Sequence, residues 1–224
     1  MNTHALILTL IIVIFLAGCT SVPEPAGPDI SGYLTPIDSE NLARELGSAP
    51  AGTLTPTEEQ DILFMQEEEK LARDVYAALY EKWQIPAFEN IGGAEQTHMD
   101  SMTVLVDRYQ LESSMQDTQG VFSNATLQSL YDDLVARGSA SPEEALRVGA
   151  LIEEVDLADL QEAMTRTDRQ DILQVYENLA KGSRNHLRAF VQVMGQQGIA
   201  YTPQVLSPEE YQAIVSTAAE RGRA

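Results

Sequence analysis

The sequence predicts an all-α protein: four long helices in a bundle, a long connection between the second and third, and one more helix at the C-terminus. Three observations carry this. Apolar residues recur at three- and four-residue steps over long stretches, the period of helices that bury one face. A single kind of start signal recurs, in Thr55-Pro56-Thr57-Glu58, Ser141-Pro142-Glu143-Glu144 and Ser207-Pro208-Glu209-Glu210, where a hydroxyl caps, proline takes the first helical position and glutamate reaches back. No alternating strand pattern of any length separates them.

The 224 residues suffice for one domain with a core and a leader. Residues 1–18 read as a lipoprotein signal peptide. The apolar run Ala5 to Ala17 is too short for a comfortable membrane span. It ends in Leu16-Ala17-Gly18-Cys19, which makes Cys19 the expected lipidated residue. No lysine or arginine precedes the run, so an uncleaved N-terminal anchor is the competing reading. Either one tethers the protein to the cell membrane with its bulk outside the cytoplasm, at the cell surface or in the periplasm. With Cys19 the single cysteine, no disulfide within the chain and no Cys-x-x-Cys site can form. The formal net charge of -20, from 34 acidic and 14 basic residues, argues against nucleic acid as a partner and favours attraction of cations.

Residues 19–54 read as a flexible tether interrupted by Pro23, Pro25, Pro28, Pro36 and Pro50, with room for a short helix around Ser39 to Leu46. The helical domain spans 55–220. Its first helix starts at the Thr55 cap and stops before Pro86, with Phe64, Met65, Leu71, Ala72, Val75 and Leu79 on its apolar side. The second is expected from Gly92 to about Tyr109. Residues 110–122 read as a loop, followed by a short helix from Ser123 or Asn124 to Arg137 that Gly138 stops. The third long helix starts at Ser141 and reaches about Met164. Thr167-Asp168-Arg169-Gln170 is expected to cap the fourth, which runs to about Gln196, and Ser207 starts the last.

Chemistry concentrates on the apolar faces. Glu95 and His98 lie three residues apart, one turn apart on one helix face, in line with Met102 and Leu105. His186 replaces an apolar residue in the line Leu179, Ser183, His186, Phe190. Glu153 does the same between Ala150 and Leu157, with Asp156 sharing its face and Glu154 the alternative about 100° round the helix. In the run Glu67, Glu68, Glu69, the register with Phe64, Leu71 and Val75 selects Glu68, and Glu67 and Glu69 are expected on the solvated flanks. A carboxylate and an imidazole aimed into an apolar interior need a partner, and a metal is a common one. Carboxylate oxygens with imidazole suit iron or manganese, with zinc less suited. The expected ligand set is therefore Glu68, Glu95, His98, Glu153 and His186, arranged as in the ferritin-like bundle. Ser183 stands where a second Glu-x-x-His would carry its acid. Either Asp156 supplies that oxygen from the third helix, or one metal is well held and the other weakly. Tyr76 and Tyr80 lie near this site, as carriers of electrons or protons or as packing.

The segments EEEKLARDVY, NIGGAEQTHM, LIEEVDLADL and SRNHLRAF resemble the prokaryotic family known as domain of unknown function 2202, within the ferritin-like superfamily. The resemblance covers about Thr55 to Val215. It implies a ferritin-like bundle with a metal centre and no assigned reaction. From the wider superfamily it carries Glu68, Glu95 with His98, Glu153 and His186 over as ligands. With reduced iron bound, oxygen or peroxide would be the small-molecule partners, in a ferroxidase or peroxide-reducing role. A bundle that holds metal without turnover, or serves only structure or interaction, is the alternative. A homodimer is compatible with such a bundle.

Overall fold

The computed structural model describes residues 28–221. It consists of α1 (Ser39–Leu46), α2 (Pro56–Trp83), α3 (Pro86–Tyr109), α4 (Ala125–Gly138), α5 (Pro142–Met164), α6 (Gln170–Gln196) and α7 (Pro208–Val215), with a short 3₁₀ turn at Ser31–Tyr33. No strand occurs among the described residues, so the all-helical expectation holds. The signal segment and Cys19 lie outside the described residues. No described helix is long and apolar enough to cross a membrane.

The helix starts follow from the caps. Thr55 Oγ1 accepts from the Glu58 amide at 3.2 Å while the Glu58 carboxylate accepts from the Thr55 amide at 2.7 Å, and Ser207 with Glu210 repeats the pair. These reciprocal bonds satisfy amides that a helix start leaves without partners. Asn124 and Ser141 cap α4 and α5. At the end of α2, Gln84 turns left-handed (φ 53°), and its side-chain amide donates to the carbonyls of Tyr80 and Glu81.

Three expectations need correction. α3 begins at Pro86, not Gly92, because proline suits the first helical position. The Gly92-Gly93 pair lies inside the helix, with Gly92 facing Tyr76 of α2. The expected cap of α6 does not form: Arg169 occupies the N-cap without a side-chain bond, and the Thr167 hydroxyl donates instead to Glu58 of α2 at 2.6 Å. The stretch read as a flexible tether is folded from Ile30 onward. Ile30, Ile37, Leu42 and Leu46 are buried in the core, α1 packs on α3, the Tyr33 hydroxyl donates to Gln192, and the Ile37 amide donates to Thr97. Isoleucines and leucines spaced between the prolines supply enough apolar area to hold this strap down.

The strand-like alternative being absent, helix directions decide the topology. α2 packs along α3 and α5 along α6; α2 also touches α5, and α3 touches α6. Tyr76 reaches Gly149 and Glu153, whereas Asp61 bonds Arg166, so α2 and α5 run antiparallel. Glu95 meets His186 and Arg108 meets Asp171, so α3 and α6 also run antiparallel. With the short connections at 84–85 and 165–169 closing two hairpins, the four long helices run up, down, down, up. The crossover 110–141 carries α4 against α2 and α5. One side of the bundle centre is filled by Tyr76, Phe88 and Phe190, with ring centroids 5.4 to 5.9 Å apart. Removing one such ring typically costs about 3–5 kcal/mol. Gly149 of α5 has no side chain because a Cβ would overlap the Phe190 ring.

Candidate metal centre

Helical register brings Glu95 and His98 of α3 to the same level as His186 of α6, in the middle of the bundle. One ligand atom from each lies within 4.8 Å of the others. Both histidines are fully buried (0 % exposed), and Glu95 is 2 % exposed. Glu95 Oε2 stands 2.7 Å from His98 Nδ1, and Glu95 Oε1 stands 2.8 Å from His186 Nδ1. One carboxylate thus turns an oxygen to each of two imidazoles, whose rings are nearly parallel at 5.3 Å. Neither approach has the angle of a hydrogen bond. Both nitrogens of both rings, Glu95 Oε1 and Glu69 Oε1 are buried without a hydrogen-bond partner. Buried polar atoms are seldom left unmet in this way. Their convergence fits an ion held between them, and the donor set, carboxylate oxygen with imidazole nitrogen, suits a divalent transition metal.

Two further carboxylates close the group. Glu69 Oε2 lies 3.5 Å from His98 Nδ1, and Glu153 Oε2 lies 3.6 Å from His186 Nδ1. The Tyr76 hydroxyl, fully buried, donates to Glu153 Oε1 at 2.6 Å and orients it. Burial pushes the Glu69 and Glu153 carboxyls up to about 7, with neighbouring Glu95 adding to the rise and the histidines offsetting part of it. Burial also acts against ionised Glu95, but the charges of His186 and His98 outweigh it and hold Glu95 below the usual carboxylate range. Conversely, burial disfavours charged His186, yet Glu95 and Glu153 raise it to about 9. His98 is raised well above the ordinary histidine value by Glu95 and Glu69. The acids are thus balanced by protons on the imidazoles, the same balance that bound cations would supply.

Of the other acids expected on sequence grounds, Glu68 and Glu154 face other partners, while Asp156 lies close to Glu69 and Glu153. Glu68 is buried, but it faces Asp156 and Asp159 of α5 rather than the histidines, and its carboxyl is raised well above the usual range by burial and by those two neighbours. Asp156 is buried and accepts a short hydrogen bond from Ser183 Oγ of α6. Glu154 is turned away from the histidines. It accepts from the Tyr201 hydroxyl at 2.5 Å and from the amides of Gln204, Val205 and Leu206. Glu153 is therefore the member of that pair at the centre.

Glu69, expected on a solvated flank, is the α2 residue nearest His98. The signal that marks it is the line Met65, Glu69, Ala72, Tyr76, all buried, whereas Phe64 of the competing line is only half-buried. Glu67 is not solvated either: it accepts from the amides of Ser123 and Asn124 and pins the crossover to α2. A third close approach comes from α6. Gly182 faces the His98 ring so tightly that a Cβ would overlap Cε1 and Nε2. The buried and unpartnered Thr35 hydroxyl of the N-terminal strap borders the same spot.

The comparisons bear out the DUF2202 part of the resemblance. Residues 58–218 match the model of an uncharacterised protein domain, DUF2202. The uncharacterised protein MJ0754 of Methanocaldococcus jannaschii is 48 % identical over 178 residues, covering 79 % of this chain and 96 % of that protein. The crystal structure of hypothetical protein MJ0754 from the same archaeon superposes with a TM-score of 0.75 at 47 % identity, covering 77 % of this chain and 99 % of that one. The chain therefore belongs to the DUF2202 family of uncharacterised domains.

Proposed function

We propose that this chain is a membrane-tethered, extracytoplasmic ferritin-like protein that binds a pair of iron or manganese ions and uses them to oxidise Fe(II) or reduce peroxide. The observation that carries this reading is Glu95, one carboxylate with its two oxygens 2.7 and 2.8 Å from the Nδ1 atoms of two different histidines. A bridging carboxylate between two ions needs that arrangement. The up, down, down, up order with a long crossover supports the ferritin-like assignment. His98 and His186 would each hold one ion, Glu95 would join them, and Glu69 and Glu153 would flank them. Asp156, steadied by Ser183, would supply the oxygen that a fourth-helix acid supplies elsewhere. Two bound iron ions would supply the electrons for reducing oxygen or peroxide. The residues' part is to hold the ions away from water and to orient Glu153 through Tyr76. Attachment would be through a lipid on Cys19, with the apolar run before it as the signal.

A second reading, metal held for structure without turnover, is favoured by the complete burial of both imidazoles. Elemental analysis of the purified protein after anaerobic Fe(II) loading, followed by oxygen or peroxide addition, separates the two. The catalytic reading expects metal binding and consumption of the oxidant, both lost in Glu95→Ala and His98→Ala. Metal without consumption supports the second reading. Absence of metal removes both.

A further inference from the structure

Beyond the histidine cluster, α5 carries a carboxylate at every third position: Glu153, Asp156, Asp159 and Glu162. Each step rises about 4.5 Å along a helix and swings about 60° round it. Burial falls along the row. Glu153 and Asp156 are buried, Asp159 is half-buried and Glu162 is exposed. The row therefore leads from solvent to the centre.

Glu68 of α2 faces its middle. Glu68 is 5 % exposed, and its Oε2 is buried with no hydrogen-bond partner. One turn before it on α2, Phe64 and Met65 line the same hollow as Asp159, so Glu68 lies beside that stretch of α5. Glu68 and Asp156 also border a cavity of about 30 Å³ walled by apolar side chains. Farther out, Asp159 lines a hollow of about 120 Å³ together with Asp61 and Glu162. The basic side chain there, Arg166, is engaged by Asp61 and Glu162. Arg166 thus bonds those two acids and not Glu68, Asp156 or Asp159. Carboxylates this close, out of water and without a basic partner, need either shared protons or a cation among them.

We propose that Glu68 and Asp159 form a transit site by which a hard divalent cation passes from the hollow at Asp61 and Glu162 to Asp156 and the histidine-bound centre. The proposal rests on the metal-centre reading above. Its chemistry differs from that of the centre. An oxygen-only site takes a cation such as Fe(II) or Mn(II) and releases it, whereas the imidazoles retain it. Glu68 is then a residue of the route, not a ligand of the resting centre.

The test uses the full chain and Co(II) under anaerobic conditions, so that only binding, and no oxidation, is followed. Uptake is followed by stopped-flow absorbance, and content at saturation by elemental analysis. Removing charge from a guiding acidic path slows association, so Glu68→Gln and Asp159→Asn should each load about tenfold more slowly or worse. Both should reach the wild-type cobalt content. The proposal is overturned if either variant loads at the wild-type rate, or if either saturates with less cobalt, which would make that residue a ligand. Should Glu68→Gln fail to fold, the half-buried Asp159→Asn decides alone. Wild-type protein that takes up no cobalt instead refutes the metal centre itself, and the route with it.

Discussion

Gly182 of α6 lies against the His98 ring of α3, at a distance that leaves no room for even a methyl group. The two histidine-bearing helices can approach this closely because one of them gives up a side chain at that level. On the same ring, His98 Nδ1 stands 2.7 Å from Glu95 Oε2. Gly182→Ala should raise intrinsic helix propensity by about 1 kcal/mol while displacing the imidazole. The expected outcome is a thermal midpoint near that of wild type with Co(II) affinity reduced about tenfold or more, as for loss of a group that orients a ligand. Parallel melting and metal titration check it.

Ser183 and Asp156 bear on the proposed second ion. The serine hydroxyl is bonded to the aspartate across the α5–α6 interface. If Asp156 replaces the missing fourth-helix carboxylate, Asp156→Ala should bind one ion where wild type binds a pair. Elemental analysis reads this directly, and unchanged stoichiometry would remove Asp156 from the ligand set.

Glu154 anchors the segment that leads to α7. Four donors, one of them a tyrosine hydroxyl, converge on its carboxylate, which is fully buried. Bonds to a charged group are worth about 1.5–3 kcal/mol each, and the freed segment can partly recover them from water. Glu154→Ala should therefore lose about 3 kcal/mol in denaturant unfolding. Amide exchange should quicken at residues 204–206, with metal content unaltered. A drop in metal content would place Glu154 at the centre after all.

Asp171, at the start of α6, ties the end of α3 to it. Arg108 Nε and the Tyr109 hydroxyl donate to the same carboxylate oxygen at 2.8 and 2.7 Å. Burial pushes this carboxyl up, but the bonds from Tyr109 and Arg108 outweigh it and hold it below 3.8. A depressed carboxyl stabilises the fold above its unfolded value and loses that contribution as pH falls through the folded one. Asp171→Asn should thus be less stable than wild type at neutral pH, with the gap narrowing below about pH 4. Urea midpoints across that range check the sign.

Much of the architecture was legible because it is written in local chemistry. The reciprocal caps at Thr55 and Ser207 need only residues three apart, and the apolar lines of α5 and α6 need only the helical period. The starts of α3 and α6 were misjudged for the opposite reason. Gly92-Gly93 resembles a break until Tyr76 packs against it, and Thr167 resembles a cap until Glu58, more than a hundred positions away, takes its hydroxyl. The strap 30–37 was misread because prolines suggest a tether. What holds it is the α3 and α6 surface that Ile30, Tyr33 and Ile37 meet.

By itself, the sequence determined that long amphipathic helices form, where most of them start, and that a few glutamates and two histidines occupy apolar lines. Only the tertiary structure decided which acids join those histidines. In a helical run such as Glu67-Glu68-Glu69, successive side chains point about 100° apart, so each meets a different neighbour. Here α2 is enclosed on several sides. Glu67 meets the crossover, Glu68 meets α5 and Glu69 meets α3, and only the last lies beside a histidine. Period alone cannot rank three enclosed faces; the partners packed against each of them do.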